Sequence, residues 1–436
     1  MEDNQQIENL LVEKKKRIDY KWVVVALCFL MMFIGLGFCS GTKSLFLKPI
    51  TSFLGIDRAT YSITDSMRYI GTAVVNVFFG SLVARFGSKK LILAGCMSLF
   101  LSMVLAMVGE SVLVFYLSGL LLGVGFSWMS TTMAGYVINR WIDKNKGTVL
   151  GIVFAANGIG AALAAQIVTP LITSGESGYK SAYFLISCIL VGLFVVILLF
   201  YKDKPIIKSE DHTVKKAKKS KSQNWDGLEF SQVLKKPYFY LTCLSVFASG
   251  LMLQGITGVA AAHMSDSGLT DSYIATVTSM SMLFLACSKF LSGFIYDKFG
   301  IRVAVTVCTT FSVLAMLTLT FLDGSTLGQV LAMTYSLFAA IALPLETIMI
   351  PIYSNDLFGQ KSYNKVLGIF VSVCTAGFAL GAPLLNICFN AFGSYNPAFY
   401  LFAGIMVVVI VLLQYVITMA HRERIKIEKM EKVESK

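Results

Sequence analysis

Twelve long apolar segments set the first constraint on how this chain can fold. They lie at about residues 22–47, 59–84, 89–108, 112–139, 147–172, 182–201, 237–262, 270–296, 303–322, 327–355, 364–391 and 397–419. A helix that crosses the ~30 Å hydrocarbon core of a bilayer needs about 20 apolar residues, and each segment reaches that length. We therefore predict an all-α integral membrane protein with twelve transmembrane helices, numbered in chain order. Several segments exceed 25 residues, which predicts tilted or kinked helices.

The composition agrees with a bilayer rather than water as the main solvent. The chain is 56% hydrophobic and 14% charged, which is too apolar for a soluble globule. The first segment follows a 21-residue charged head and is too long for a cleavable signal. The nine cysteines lie mostly within the predicted helices, without a CxxC spacing. We interpret them as apolar fillers and expect no disulfide, metal site or cofactor.

The distribution of basic residues predicts the orientation in the membrane. With both termini placed in the cytoplasm, cytoplasmic segments hold 31 of the 37 Lys and Arg residues and external loops hold three. This asymmetry is the positive-inside pattern, so both termini are predicted to be cytoplasmic. The absence of paired external cysteines favours a cell membrane of the bacterial inner-membrane type. The run VKKAKKSK at 214–221 is interpreted as a solvated loop near anionic lipid, and no nucleic-acid binding is expected.

A polar interruption divides the helices into two groups of six. It is rich in Lys and Ser and too poor in apolar residues to fold alone. The predicted domains are a head at 1–21, a six-helix bundle at 22–201, a cytoplasmic linker at 202–236, a second bundle at 237–419 and a tail at 420–436.

Two short motifs recur at nearly equal spacing in the two groups. GSLVARFGSKK at 80–90 follows the second helix, and GFIYDKFGIR at 293–302 follows the eighth, 213 residues later. KGTVLGI at 146–152 opens the fifth helix, and NKVLGI at 364–369 opens the eleventh. Parallel repeats of six helices are a known transporter plan, with the substrate site near the midplane between them.

The loop motif resembles the signature of the major facilitator superfamily. The resemblance covers the whole chain and implies two pseudo-symmetric six-helix bundles that transport by alternating access. It assigns a gating role to the two loops, whose matching residues are Gly80, Arg85, Gly87, Gly293, Asp297, Lys298 and Gly300. Ala84 stands where the family usually has Asp, which weakens a charge-locked role for the first loop.

Four shorter segments resemble the oxalate–formate antiporter and monocarboxylate porter branch: KWVVVA at 21–26, SLFLKPI at 44–50, NRWIDKNKGTVLGI at 139–152 and HMSDSGL at 263–269. This resemblance implies transport of small carboxylates, by exchange or with a proton. It also implies that the basic residue of helix 8, here Lys289, binds the carboxylate. Oxalate exchangers carry a second Lys on helix 11, and the stretch at 368–381 has none. A monoanion is therefore predicted rather than a dianion.

Helical geometry places Lys289 and Glu346 at similar depth. Lys289 precedes Asp297 by eight residues, which puts it roughly 12 Å from the helix end at ~1.5 Å per residue. A charge in mid-membrane is costly, so a pathway role competes with snorkelling or structural pairing. Glu346 on helix 10 lies about 18 Å from its helix end by the same rule. We hypothesise that it pairs with Lys289 until a substrate carboxylate displaces it, and that it then takes up a proton. A permanent structural pair is the alternative.

Weaker candidates complete the predicted site. Asp65 and Arg68 lie at i, i+3 on helix 2 and are expected to pair locally, with an outer gate as the alternative. Lys43 is expected to snorkel at the outer mouth, with attraction of anions as the alternative. His263 is a second candidate for proton coupling. Asn157 and Gln254 are candidates for binding a hydroxyl or keto group, or for bridging helices. Tyr136 is a candidate for shaping the cavity, or simply for packing.

Other functional classes fit the sequence less well. No nucleophile–base constellation, HExxH or phosphate-binding loop occurs, so an enzyme is not predicted. A drug or sugar porter of the same fold remains open, as does carboxylate exchange. A sensor that binds without transporting is disfavoured, because the linker and tail are too short for a signalling domain. The predicted partners are a small carboxylate, protons and the lipid bilayer, and the protein is expected to act as a monomer.

Overall fold

The computed structural model describes residues 20–142, 146–175, 177–203, 227–359 and 361–434. The predicted charged head and linker fall mostly outside this range, at residues 1–19 and 204–226, as do tail residues 435–436.

Six membrane helices make up the first half, and three of them change course within the bilayer. Helix 1 runs as Tyr20–Met31, a π-helical stretch Met32–Phe38, Cys39–Gly41 and Lys43–Leu54; helix 2 as Arg58–Val77 and Phe79–Phe86; helix 3 as Ser88–Val108; helix 4 as Val112–Trp128 and Thr131–Trp141; helix 5 as Lys146–Ile172; and helix 6 as Gly178–Phe200. π-Helical turns occur preferentially at functional sites.

The second half repeats this plan. A short helix, Phe230–Val233, precedes helix 7 at Pro237–Asp266; helices 8 and 9 lie within Asp271–Thr320; helix 10 runs as Thr326–Ala342, Pro344–Thr347 and Met349–Phe358; helix 11 is Tyr363–Phe392; and helix 12 is Asn396–Glu434. Helices 8 and 9 are separated by a break at Gly300, whose backbone is not helical (φ 81°, ψ 175°).

The all-α membrane fold is confirmed, and helices 1, 2, 4 and 10 are broken along their length, whereas helices 5, 7 and 11 are each continuous. Ten helices in the described part of the chain are individually long and apolar enough to cross a bilayer. Helices 8 and 9 count as one of these ten because Asp271–Thr320 is a single helical run across the break at Gly300. Helix 2 falls outside the set because it carries polar and charged residues. Several of those residues, among them Asp65, Arg68 and Tyr69, line the central cavity.

Close helix crossings hold two cavity-lining residues in place. A Cβ on Gly123 of helix 4 would lie 2.0 Å from the carbonyl oxygen of Arg68 on helix 2. A Cβ on Gly381 of helix 11 would lie 2.2 Å from the carbonyl oxygen of Leu251 on helix 7, three residues before Gln254. Small residues permit such backbone approach in membranes, where dispersion contacts drive association. Gly123 and Gly381 therefore allow helices 2 and 7 to pack closely against helices 4 and 11. This packing sets how far Arg68 and Gln254 extend into the space between the halves.

The two repeated loops share an unusual backbone conformation. Gly87 between helices 2 and 3 has φ 77° and ψ 164°, close to the values at Gly300 between helices 8 and 9. Only glycine adopts this region without strain. The sequence repeat is therefore also a repeat of backbone geometry.

Candidate functional site

A cavity of about 290 Å³ lies between the two halves and is the candidate site. Helices 1, 2 and 5 line it from the first half, and helices 7, 8, 10 and 11 from the second. Its volume is near the lower end of the range for small-molecule sites. The polar and charged residues in its lining are Ser40, Lys43, Ser44, Tyr61, Ser62, Thr64, Asp65, Arg68, Tyr69, Asn157, Gln254, Thr257, Lys289, Glu346, Thr347 and Asn386.

Lys289 supplies a cation from the second half. It lies on helix 8, where the hydroxyl of the preceding residue, Ser288, donates to the Ala340 carbonyl oxygen on helix 10. This bond ties helix 8 to helix 10 beside the cavity. The Lys289 side chain is partly buried. Within the described residues, its ammonium takes part in no hydrogen bond and in no ion pair within 4.0 Å. A cation in this position is available to an anionic ligand.

Glu346 lies at a break in helix 10, in the short helix Pro344–Thr347. It is 6% exposed, and its Oε2 accepts a hydrogen bond from Gln254 Nε2 at 3.0 Å. Its Oε1 is buried without a hydrogen-bond partner among the described residues. No ion pair within 4.0 Å joins it to Lys289 in the same part of the chain, so the structure differs here from the pairing hypothesised for the empty site. Gln254 holds Glu346 instead.

A hydrogen-bonded chain links Glu346 to the first half. The Tyr69 hydroxyl on helix 2 donates to Gln254 Oε1 at 3.2 Å, and Gln254 in turn donates to Glu346. The Tyr69 ring also contacts the Phe378 ring of helix 11, with centroids 5.4 Å apart. A change in the charge of Glu346 therefore alters a contact that bridges the two halves.

Three charged side chains from the first half meet in the same cavity. Lys43 on helix 1 forms an ion pair with Asp65, and Arg68 Nε lies 3.2 Å from Asp65 Oδ1. Arg68 Nη1 also donates to Ser40 Oγ at 3.3 Å. The predicted local pair of Asp65 and Arg68 is present as a contact, but Lys43 lies in the cavity with them rather than snorkelling at the outer mouth. The cluster was not predicted from the sequence, because it forms only where the bend of helix 1 brings Lys43 to helix 2.

The remaining predicted site residues divide into two groups. Asn157 and Gln254 line the cavity. Tyr136 is outside its lining, and its hydroxyl accepts from Arg140 Nη1 at 2.8 Å. His263 is also outside the lining, with Nε2 2.8 Å from the Leu319 carbonyl oxygen and its ring packed edge-on against Phe399. The structure therefore does not bring Tyr136 or His263 to the charges of the cavity.

The predicted gating residues lie in the two repeated loops, away from the cavity. Gly80 and Arg85 belong to the last segment of helix 2, and Gly87 follows it. Gly293, Asp297, Lys298 and Gly300 occupy the corresponding positions between helices 8 and 9. Asp203, which is not among the predicted residues, follows helix 6 and accepts hydrogen bonds from the Ser88 hydroxyl and the Lys89 amide at the start of helix 3. An acid at a helix N-terminus is stabilised there.

Polar contacts join the two halves at the end that carries the loop at residues 55–57, where they would close the cavity. Arg58 Nη2 donates to Asp266 Oδ1 at 2.9 Å, and Lys48 Nζ lies 3.2 Å from the same oxygen. Asn390 Nδ2 donates to Asp57 Oδ1 at 2.8 Å. We call Arg58, Lys48, Asp266, Asp57 and Asn390 the closing cluster. By the predicted orientation, this end faces the outside.

Replacing Arg58 by alanine should destabilise the state that is closed at this end. Hydrogen bonds to charged groups contribute about 1.5–3 kcal/mol, so the ratio of closed to open protein should fall about tenfold or more. The measurement is the labelling rate of a cysteine introduced at cavity residue Thr257, using an impermeant maleimide applied from the side of the 55–57 loop. The rate should rise several-fold relative to Thr257→Cys alone.

The chain without Thr257→Cys measures labelling of the nine native cysteines. A double exchange, Arg58→Asp with Asp266→Arg, should restore slow labelling. An unchanged rate in Arg58→Ala would show that the closing cluster does not control access to the cavity.

Comparison with known proteins places this architecture in a family. The family model described as Major Facilitator Superfamily matches residues 25–349 and 242–435. The chain is 27% identical over 288 residues to the uncharacterized MFS-type transporter YcxA of Bacillus subtilis, a match that covers 65% of this chain and 66% of that protein, just under two thirds of its length. It is 20% identical over 348 residues to the sialic acid transporter NanX of Escherichia coli, a match that covers 78% of this chain and 80% of that protein. Further relatives are named hexuronate transporter and multidrug resistance protein.

Solved structures show the same fold. A mutant of the nucleoside transporter NupG superimposes with a TM-score of 0.74 at 13% identity, covering 90% of this chain and 99% of that one. The relatives and the solved structure named above are transporters of varied cargo. None of them carries a name specific to oxalate, formate or monocarboxylates.

Proposed function

The chain belongs to the major facilitator superfamily and is a secondary transporter rather than an enzyme, and we propose that its cargo is a small carboxylate, a monocarboxylate in the first instance. The observation that carries this proposal is the ammonium of Lys289, which borders the cavity without a hydrogen bond or close ion pair in the described part of the chain. A carboxylate is the group that such a cation binds most directly. The relatives named for sialic acid and hexuronate also carry the names of acids.

The charge balance of the second half supports cotransport with a proton. A cargo carboxylate would neutralise Lys289, and the loaded site would change its access at lower cost with Glu346 as the neutral acid. Burial favours the neutral form of a carboxyl group, whereas a nearby ammonium favours the ionised form. In this mechanism Gln254 holds Glu346 in the empty site, and binding of the cargo to Lys289 removes the ammonium's support for the carboxylate. One anion and one proton would then move together.

Alternating access supplies the conformational step. The closing cluster seals one end of the cavity, and the two glycine-hinged loops lie between helices 2 and 3 and between helices 8 and 9. A cargo that stabilises the closed arrangement of both ends shifts the population toward exchange of access. Both termini on the cytoplasmic side and monomeric action remain part of the proposal.

Purified protein in liposomes tests the proposed cargo class. Labelled formate, acetate, lactate, pyruvate and oxalate should be offered with and without an inward proton gradient. Uptake of a monocarboxylate that rises with the gradient is expected, whereas uptake that requires internal anion would indicate exchange. Transport of neutral sugars or lipophilic cations, with no uptake or competition by any carboxylate, would contradict the proposal. Liposomes without protein provide the control.

A further inference from the structure

The charged cluster of the first half is not used by the mechanism above. Lys43, Asp65 and Arg68 line the same cavity as Lys289. When all three are ionised, one carboxylate faces two cations, and the cluster keeps one net positive charge. The side chains of Lys43 and Asp65 are each 19% exposed, and that of Arg68 is 12% exposed. An uncompensated charge at such a site is costly, so a negative or oxygen-rich ligand group is favoured beside it.

Arg68 is the member of the cluster whose geometry is prepared for a ligand. Asp65 contacts its Nε, and Ser40 accepts from Nη1. Its guanidinium carbon also lies 4.3 Å from the centroid of the Tyr69 ring. A guanidinium has five N–H donors, so these contacts orient the group and use only part of its capacity. Asp65 therefore acts as a positioning residue, and Arg68 presents a planar donor group to the cavity.

The cavity also has more room than a minimal carboxylate requires. Its volume is about 290 Å³, whereas roughly 10–15 Å³ by this kind of measure is enough for one water molecule. Amides and a hydroxyl in the same lining, at Asn157, Gln254 and Thr257, offer further polar contacts. A ligand that touched only Lys289 would leave these groups and Arg68 facing water.

We propose that the preferred cargo carries a second oxygen acceptor at a distance from its carboxylate, and that Arg68 binds it while Lys289 binds the carboxylate. The second acceptor is a hydroxyl or a second carboxylate. This inference rests on the proposed carboxylate transport and narrows its substrate class. The absence of a lysine on helix 11 no longer argues against a dianion, because a second cation reaches the cavity from helix 2.

Such a cargo bridges the two halves of the protein. Arg68 lies on helix 2 and Lys289 on helix 8, so one molecule held by both contacts both bundles at once. A ligand can shift a conformational equilibrium only through its differential affinity for the two states. A cargo with a carboxylate at one end and a second acceptor at the other binds the two states with different affinity. Both of its contacts are made together only when the halves are at the correct separation.

Three four-carbon acids test the proposal: butyrate, 4-hydroxybutyrate and succinate. Their Kd values should be measured on the purified full-length protein by the ligand-dependent rise in Tm. In the wild type, succinate or 4-hydroxybutyrate should bind at least tenfold more tightly than butyrate. Tighter binding of succinate identifies the second acceptor as a carboxylate, and tighter binding of 4-hydroxybutyrate identifies it as a hydroxyl. In Arg68→Gln this preference should fall below threefold, while the Kd for butyrate changes less than threefold.

Arg58→Gln is the matched control, because Arg58 belongs to the closing cluster and does not line the cavity. It should shift the three Kd values together and leave their ratios unchanged. If Arg68→Gln does not fold, Arg68→Lys keeps the charge and loses the planar donor group, and it should reduce the preference at least threefold.

Two results would overturn the inference. One is a wild type that binds butyrate as tightly as both two-ended acids, and the other is a preference that persists in the Arg68 variants. Lys289→Ala separates this failure from that of the proposed function. If butyrate binding is lost in Lys289→Ala while the preference survives in the Arg68 variants, only the inference fails. If butyrate binding is unaffected by Lys289→Ala, the proposed function fails.

Discussion

Replacing Lys289 by alanine should reduce carboxylate uptake by about thirtyfold or more. Truncating one partner of a buried, hydrogen-bonded charge pair costs about 2–5 kcal/mol, and the cargo carboxylate would lose its cation in the second half. Initial rates of labelled carboxylate uptake in proteoliposomes, at equal protein incorporation, provide the measurement. Lys289→Arg should retain part of the activity, because a guanidinium also binds carboxylates but with a different reach.

Lys180→Ala provides a matched control for the loss of a lysine. Lys180 lies outside the cavity lining, with its Nζ 4.9 Å from the centroid of the Phe53 ring, so this variant should transport at close to the wild-type rate. Uptake by Lys289→Ala within threefold of the wild type would remove the basis for a carboxylate cargo.

Replacing Glu346 by glutamine should abolish accumulation driven by a proton gradient. Glutamine has nearly the same shape and can still hydrogen-bond Gln254, but it cannot take up and release a proton. The accumulated cargo should fall about tenfold or more, to the level reached without a gradient. Exchange of labelled for unlabelled cargo across the membrane should continue, because that process needs no net proton movement.

Asp356→Asn tests whether the effect is specific to the cavity. Asp356 is also on helix 10 and accepts a hydrogen bond from the Tyr296 hydroxyl at 2.8 Å, but it does not line the cavity. It should keep gradient-driven accumulation. Accumulation at the wild-type level in Glu346→Gln would disprove proton coupling at this position, and loss of exchange as well would assign Glu346 to cargo binding.

The structure makes both predictions sharper than the sequence alone allowed. Spacing along the helices placed Lys289 and Glu346 at similar depth, and both do line one cavity. Depth is predictable because the rise per residue of a helix is constant. The hydrogen-bond or ion-pair partner of a side chain is not predictable in this way, because it depends on the rotation of each helix and on its neighbours. The break at Pro344–Thr347 turns Glu346 toward Gln254 rather than into an ion pair with Lys289.

The first half shows the same limit more strongly. Asp65 and Arg68 were expected to pair because i, i+3 neighbours share a helix face. Nothing in the local pattern indicated that Lys43 would join them, or that the cluster would face the cavity. Helix 1 changes from α to π geometry at Met32–Phe38 and restarts at Lys43, and Gly123 allows helix 4 to pack closely behind Arg68. The position of these charges follows from both features together.

The amino-acid sequence by itself determined that the chain is an all-α membrane protein, built from two repeated halves and belonging to a transporter superfamily. Hydrophobic length and repeated glycine motifs are local properties, and the bilayer converts them directly into helices. Only the tertiary structure decided which charges share the cavity, which carboxylate is held by an amide, and which polar groups join the two halves. Those outcomes depend on helix rotation, kinks and crossings, and they arise only when segments far apart in the chain pack together.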